Sequence, residues 1–231
     1  MLRNYVFLHI PKTGGTSLRT AIVQSFEKKG YLVIYDYVNH EISTPWLRSA
    51  ATSGDAGALV RNNVEHAKEM LLIGHFPASK FISSFHPASF FTFLREPFAQ
   101  IYSNYNHHVS HHGYTKTFEE FIATPLFQNI QWRLCNKLDI SEIGFVGLLE
   151  QVEDDLPRLV EFLGIPLELK HRNVGNYALN SDLVREKYEA MVQKFNPLDF
   201  ELYEHAKAVV ADKRKRAEEK IGGGVVNATR V

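Results

Sequence analysis

Cysteine occurs once in 231 residues, at Cys135, which excludes an intramolecular disulfide framework and a cysteine-rich zinc site and fits a reducing compartment. Read as an ordinary core residue, it carries no expected chemistry. No stretch approaches the roughly 20 apolar residues that span a bilayer, and no basic segment followed by an apolar run opens the chain. A soluble protein is expected. Charge of one sign is lacking too: 26 Lys plus Arg balance 26 Asp plus Glu. Without a global basic field, nucleic acid is not an expected partner, and any anion site must be local.

What the chain does contain is 45% hydrophobic and 12% aromatic residues, a globular composition, and enough length for one substantial core. It is organised around the stretch from Tyr5 to Leu18. Val6-Phe7-Leu8 suits a strand covered on both faces, and Gly14 and Gly15 permit close backbone approach. Thr16 or Ser17 is expected to cap a helix carrying Leu18 and Ile22. The unpaired N–H groups at the start of such a helix attract an anion, and Lys12 adds a full charge beside them. ATP-binding P-loops place their lysine after the last glycine, just before Ser or Thr. Here the order is reversed, with Lys12 ahead of Gly14 and Gly15.

That order, in the string His9-Ile10-Pro11-Lys12-Thr13-Gly14-Gly15-Thr16-Ser17, resembles the 5′-phosphosulfate loop of sulfotransferases that use 3′-phosphoadenosine 5′-phosphosulfate (PAPS). It looks most like the carbohydrate branch, which includes the heparan and galactose enzymes. A second stretch agrees. Phe90 to Leu94 reads as a strand running into Arg95-Glu96-Pro97, where Pro97 suits a first helical turn, and Ser103 follows eight residues after Arg95. Guanidinium plus hydroxyl is a good pair for a terminal phosphate, and the spacing resembles the family's 3′-phosphate motif.

The resemblance runs from about Tyr5 to Tyr203. It implies a three-layer, P-loop-like α/β fold, a central mainly parallel sheet flanked by helices, which the alternation of strands and helices suggests independently. It implies in-line transfer of a sulfuryl group from PAPS to a hydroxyl, or less often an amine, of an acceptor, expected to be a small molecule or glycan and most simply a carbohydrate or glycoconjugate. Lys12, Thr13, Gly14, Gly15, Thr16 and Ser17 would hold the 5′ end of the nucleotide, Lys12 also acting in catalysis, while Arg95 and Ser103 would hold the 3′-phosphate. No metal is required. Eukaryotic carbohydrate sulfotransferases usually carry an N-terminal membrane anchor, so the chain is expected to be a soluble, bacterial-type cytoplasmic member, or alternatively a trimmed Golgi-lumenal domain. The competing readings are a nucleotide kinase or NTPase with an atypical P-loop, which would need Mg²⁺, and a non-catalytic nucleotide-binding protein of the same fold.

Taken in order, a first helix is expected to end near Gly30, with a strand over Tyr31 to Tyr37. The turn-rich segment from Asn39 to Asn63 offers only Trp46 and Leu47 as large anchors and reads as a surface excursion over the acceptor site. His66, Lys68 and Glu69 lead into a buried strand, Met70 to Gly74, which leaves His75 at the carboxyl tip where open α/β sheets bind ligands. With a pKa near neutrality, His75 is the candidate general base, and it also falls where the family carries its base. The alternative is a structural strand-end histidine.

The cluster His107, His108, His111 and His112 has no acidic partner within it and is expected to be a solvated helix end. Thr117 and Glu120 form a helix-starting capping box, and a longer helix is expected over Phe127 to Leu134. There Asn129, Gln131 and Arg133 resemble the family's acceptor-cleft segment. Their alternative is a plain polar helix face. A strand over Ile143 to Leu148 leads to Glu150, and a helix from Val152 to Leu163 follows, closed by Gly164. In the family a loop near His171 to Asn176 folds over the nucleotide, which makes Arg172 a candidate contact. Helices are expected from Leu183 to Phe195 and Asp199 to Val210, then a solvated basic run, Lys213 to Arg216. One domain is expected over residues 1–221, with a disordered tail at 222–231.

Overall fold

The structure, a computed structural model, describes residues 4–37, 41–48, 56–64, 69–168 and 181–223. Strands β1 (Asn4–Leu8), β2 (Leu32–Asp36), β3 (Met70–Gly74), β4 (Phe90–Leu94) and β5 (Phe145–Leu148) form one parallel sheet in the order β2-β3-β1-β4-β5. β1 is central: Phe7 pairs with Ile73 on one side and Phe91 on the other. Every residue of β3 and β4 is buried, which is why Met-Leu-Leu-Ile-Gly and Phe-Phe-Thr-Phe-Leu show no polar alternation.

One face of the sheet, with Val6, Leu72, Phe90 and Val146, packs beneath α2 (Pro45–Arg48), α3 (Ala56–Val64), α6 (Ile130–Cys135) and α9 (Pro197–Gly223). On the other, Phe7, Leu71, Phe91 and Phe145 meet Leu18, Ile22 and Phe26 of α1 (Gly15–Lys28) and Leu159 and Leu163 of α7 (Val152–Leu163). Each large apolar side chain fully buried in these layers contributes about 1.5–3 kcal/mol. A third cluster joins α4 (Pro97–His112), α5 (Phe118–Ala123) and α8 (Ser181–Phe195), where Phe121 stacks on Phe127 at 3.8 Å. The result is the three-layer α/β fold with a parallel sheet flanked by helices.

Several segments differ from expectation. The 39–63 excursion is not confined to the surface: Leu47, Ala56 and Val60 are buried core residues on α2 and α3, because both short helices turn an apolar side toward the sheet. The helix expected over 127–134 is shorter. Asn129, in the left-handed region at φ 50°, separates a 3₁₀ turn (Pro125–Phe127) from α6. α9 continues to Gly223, beyond both Val210 and the expected domain end. Its basic run is only partly solvated, since Arg214 pairs with buried Asp155 at 2.8 Å and Lys213 donates to Ile143 O at 2.9 Å. The capping box of α5 forms as expected. Cys135 is buried, and burial pushes its thiol up to about 12. Among the described residues no helix is long and apolar enough to cross a membrane. His66, Lys68 and Arg172 lie outside the described residues, as does the tail from residue 224.

Candidate active site

Five parallel strands deliver their carboxyl ends to one edge, and the candidate residues follow directly: His9 after β1, Tyr37 after β2, His75 after β3, Arg95 after β4 and Glu150 just beyond β5. The chain leaves β1 toward β2 on one side and returns to β4 on the other, so the β1 loop sits where open α/β sheets bind ligands.

In that loop Lys12 has φ 67° and Gly14 φ 108°. Gly14 has a second reason to be glycine, since a Cβ there would meet Leu149 Cδ1 at 2.7 Å. Gly14 is also the N-cap of α1 and supplies no side-chain cap, contrary to the expected capping by Thr16 or Ser17. α1 opens at Gly15-Thr16, with Ser17 half-buried behind them. The N-cap residue therefore offers the first amides of α1 no side-chain acceptor, and the start of such a helix attracts an anion. Thr13 is spent on the loop itself: it is buried, and its hydroxyl donates to Ile10 O at 3.0 Å.

Arg95 is held by both ends of its peptide. Its N–H donates to Gln131 Oε1 at 2.9 Å, and its carbonyl accepts from Gln131 Nε2 at 2.8 Å. The guanidinium reaches across to Lys12 O at 3.2 Å. Burial lowers the pKa of Lys12, and the charge of Arg95 lowers it further. Burial also lowers that of Arg95, opposed by Glu150 and Glu96. Those carboxylates are committed elsewhere. Glu150 accepts from Glu96 N and from the Tyr203 hydroxyl, while Glu96 caps α4 and pairs with Arg185. Two cations thus converge beside the start of α1.

α4 lies along this corner. Gln100, buried, donates to Pro11 O at 3.0 Å, and Lys12's charge helps lower the pKa of His107 to about 4, behind burial as the first cause. Ser103 is half-buried on the same face, between these two positions. His107 and His108 are half-buried rather than solvated, with His108 against Phe127 at 4.9 Å, whereas His111 and His112 are exposed. The reason is that α5 and the 3₁₀ turn before α6 pack on that side of α4. Among the described residues, no group of three or more His, Cys, Asp or Glu side chains could hold a metal ion.

His75 Nε2 lies 3.1 Å from His9 Nδ1, and that nitrogen lies 3.1 Å from the Tyr37 hydroxyl. Burial drives both imidazoles down, His75 to about 4 with help from Arg19 and His9 to about 3 with help from His75 and Arg19. At neutral pH both are uncharged, so His75 can accept a proton.

The acceptor-cleft candidates are used differently. The buried Gln131 amide clamps Arg95, and its backbone N–H, with that of Trp132, is held by Asp199. Burial raises that carboxyl to about 6. Asn129 joins the junction of α8 and α9: its Oδ1 accepts from Leu198 N and Asp199 N, and its Nδ2 donates to Phe195 O. Arg133 is exposed and caps the carbonyls of Pro125 and Leu126. Sequence reasoning missed His9, Tyr37 and Gln100. The readable signal for the first two was their position, immediately after a strand, as for His75.

A model of the sulfotransferase family matches residues 3–206. The structure is similar to the crystal structure of a sulfotransferase from Alicyclobacillus acidocaldarius, at 16% identity and TM-score 0.45 over 84% of this chain and 96% of that one. It is also similar to mouse sulfotransferase SULT7A1 complexed with PAP, at 11% identity and TM-score 0.50 over 88% of this chain and 89% of that one. The second likeness speaks for the fold alone. No curated protein matches the sequence. A match over 204 of 231 residues, spanning the Lys12 loop and the Arg95 to Ser103 helix, leads to one conclusion: the chain belongs to the sulfotransferase family.

Proposed function

We propose that this protein transfers a sulfuryl group from PAPS to a hydroxyl, or an amine, of an acceptor of the carbohydrate or glycoconjugate class. The observation that carries the reading is the convergence of Lys12 and Arg95 at the start of α1, where Gly14 supplies no cap: two desolvated cations, with the carboxylates that act on Arg95 engaged elsewhere. Such a corner is costly unless an anion enters it. PAPS carries anions at two places, and this chain offers groups for both. Lys12 and the first amides of α1 suit the phosphosulfate, and Arg95 with Ser103 suits the 3′-phosphate. The mouse sulfotransferase of similar fold is complexed with PAP, the desulfated product, which supports the choice of nucleotide.

When bound, PAPS supplies an activated sulfuryl group on a leaving phosphate. Negative charge grows on that phosphate during transfer, and a preorganised ammonium and amide dipoles stabilise it without rearranging. Lys12 supplies the ammonium. Neutral His75 accepts the proton of the attacking hydroxyl, and Gln131 keeps Arg95 in place so that the nucleotide is oriented. The kinase reading is not favoured, because Lys12 precedes the glycines.

The test is incubation with ³⁵S-labelled PAPS and an extract of the source cells. Label in a carbohydrate-containing product that disappears with Lys12→Ala is expected; no transfer to any acceptor, with no binding of PAP by calorimetry, would overturn the proposal.

A further inference from the structure

We propose that His9 and Tyr37 act as positioning residues that fix the proton of His75 on Nε2, leaving Nδ1 as the nitrogen that takes the acceptor's proton. Their role depends on His75 being the general base.

One proton serves the 3.1 Å contact between His75 Nε2 and His9 Nδ1, so its direction decides the chemistry. If His9 donated, neutral His75 would carry its own proton on Nδ1 and have no free nitrogen for substrate. Tyr37 settles the direction. The charge of Arg19, whose guanidinium carbon stands 5.9 Å from the centroid of the Tyr37 ring, draws the hydroxyl's lone pairs to its side and turns the single hydroxyl proton to His9 Nδ1 at 3.1 Å. His9 Nδ1 is then an acceptor, and His75 must donate to it. His75 consequently keeps a bare Nδ1. His9 carries its proton on Nε2, a buried nitrogen without a hydrogen-bond partner among the described residues. Buried polar atoms left unpaired are uncommon, and accepting one here is consistent with a site whose geometry is set by function.

The charged and titratable groups facing His75 come from each neighbouring element: His9 after β1, Tyr37 after β2, and Arg19 from α1. On its flank Lys80 is paired with Asp36 at 2.6 Å, and His75 N donates to Asp36 O at 3.0 Å. Among the described residues no carboxylate hydrogen-bonds the imidazole, so tautomer control falls to the neutral pair His9 and Tyr37. In the transfer the acceptor's O–H bond breaks and its proton goes to His75 Nδ1. The acceptor oxygen bonds to sulfur, and the sulfur–oxygen bond to phosphate breaks with its electron pair remaining on the phosphate. The resulting imidazolium still donates through Nε2 to His9.

¹⁵N NMR of histidine-labelled protein with PAP bound reads the tautomer directly, the His75 signals being assigned by their loss in His75→Gln. The expected result at neutral pH is a proton on Nε2 of His75. His9→Leu should give mixed tautomers, and His9→Asn, whose amide oxygen can accept near the Nδ1 position, should restore Nε2–H. Tyr37→Phe should weaken the preference of His9 for Nε2–H. PAP affinity should stay within about threefold across folded variants. A proton on Nδ1 in the unmodified protein, or unaltered Nε2–H in His9→Leu, overturns the proposal while PAP binding keeps the nucleotide reading intact. Should His9→Leu not fold, the unmodified protein and Tyr37→Phe still decide. Failure of the unmodified protein to bind PAP overturns both.

Discussion

Arg95 and Lys12 bring like charges into one desolvated corner, yet the proposed roles separate them by the end of the nucleotide each faces. A charge-assisted contact contributes roughly 1.5–3 kcal/mol, so Arg95→Ala should weaken PAP by about ten- to a hundredfold and barely change adenosine 5′-phosphate, which lacks the 3′ group. Lys12→Ala should weaken both. Calorimetric titration of the two nucleotides into the three proteins measures the coupling, and equal losses for Arg95→Ala would remove its 3′-phosphate role. The histidines make a second prediction. With folded-state values near 4 for His75 and near 3 for His9, against 6.5 unperturbed, the unfolded chain takes up protons that the folded chain refuses. Their contribution is complete above about pH 6.5 and is lost as pH falls toward 4, each tenfold difference in proton affinity between the two states being worth about 1.4 kcal/mol. Asp199, raised to about 6 by burial, acts in the opposite sense, so the comparison belongs between variants. The gap between denaturant midpoints at pH 7 and pH 5 should narrow in His75→Gln, His9 still contributing its share; an undiminished gap would show that His75 is not held neutral by the fold.

α6 is the element on which the site's geometry hangs, although it is six residues long. Gln131 on it ties the peptide of Arg95 to Asp199 on α9, and Asn129 just before it ties α8 to α9. The two side chains should therefore fail differently. Gln131→Glu exchanges a donor for an acceptor facing the carbonyl of Arg95 at 2.8 Å, and should cost about 1–3 kcal/mol of stability together with PAP affinity. Asn129→Ala should cost a similar amount of stability and leave the PAP affinity of the folded protein unchanged. Urea denaturation with calorimetry on the same samples separates the cases. Loss of PAP affinity in Asn129→Ala would return that residue to the ligand surface.

For the whole molecule, a ligand that binds only the folded state stabilises it by about 2.7 kcal/mol at a hundred times its Kd. In a chain of this size that amounts to a rise in Tm of about 5–10 °C. PAP should produce this rise without added metal, and ATP with Mg²⁺ should do much less. The opposite order in a thermal-shift titration would move the assignment to a kinase. The unfolding should be cooperative, because the central strand β1 sends Val6 and Leu8 into one face and Tyr5 and Phe7 into the other.

Local pattern was enough for the strand-loop-helix around Lys12, the buried runs of β3 and β4 and the capping box at Thr117. Each of these depends on residues within a few positions of one another, where apolar period, glycine placement and cap chemistry act directly. The tertiary structure alone placed β3 between β2 and β1, so that Tyr37, His75 and His9 become neighbours although 28 and 66 positions separate His9 from the other two. It also turned Gln131 and Asn129 inward, to partners 36 and 67 positions distant, and sank part of the 39–63 segment into the core. Hydrogen bonds of such reach are decided by which strand lies beside which and which helix covers it, and that choice is made by packing the whole core rather than by the character of any one segment.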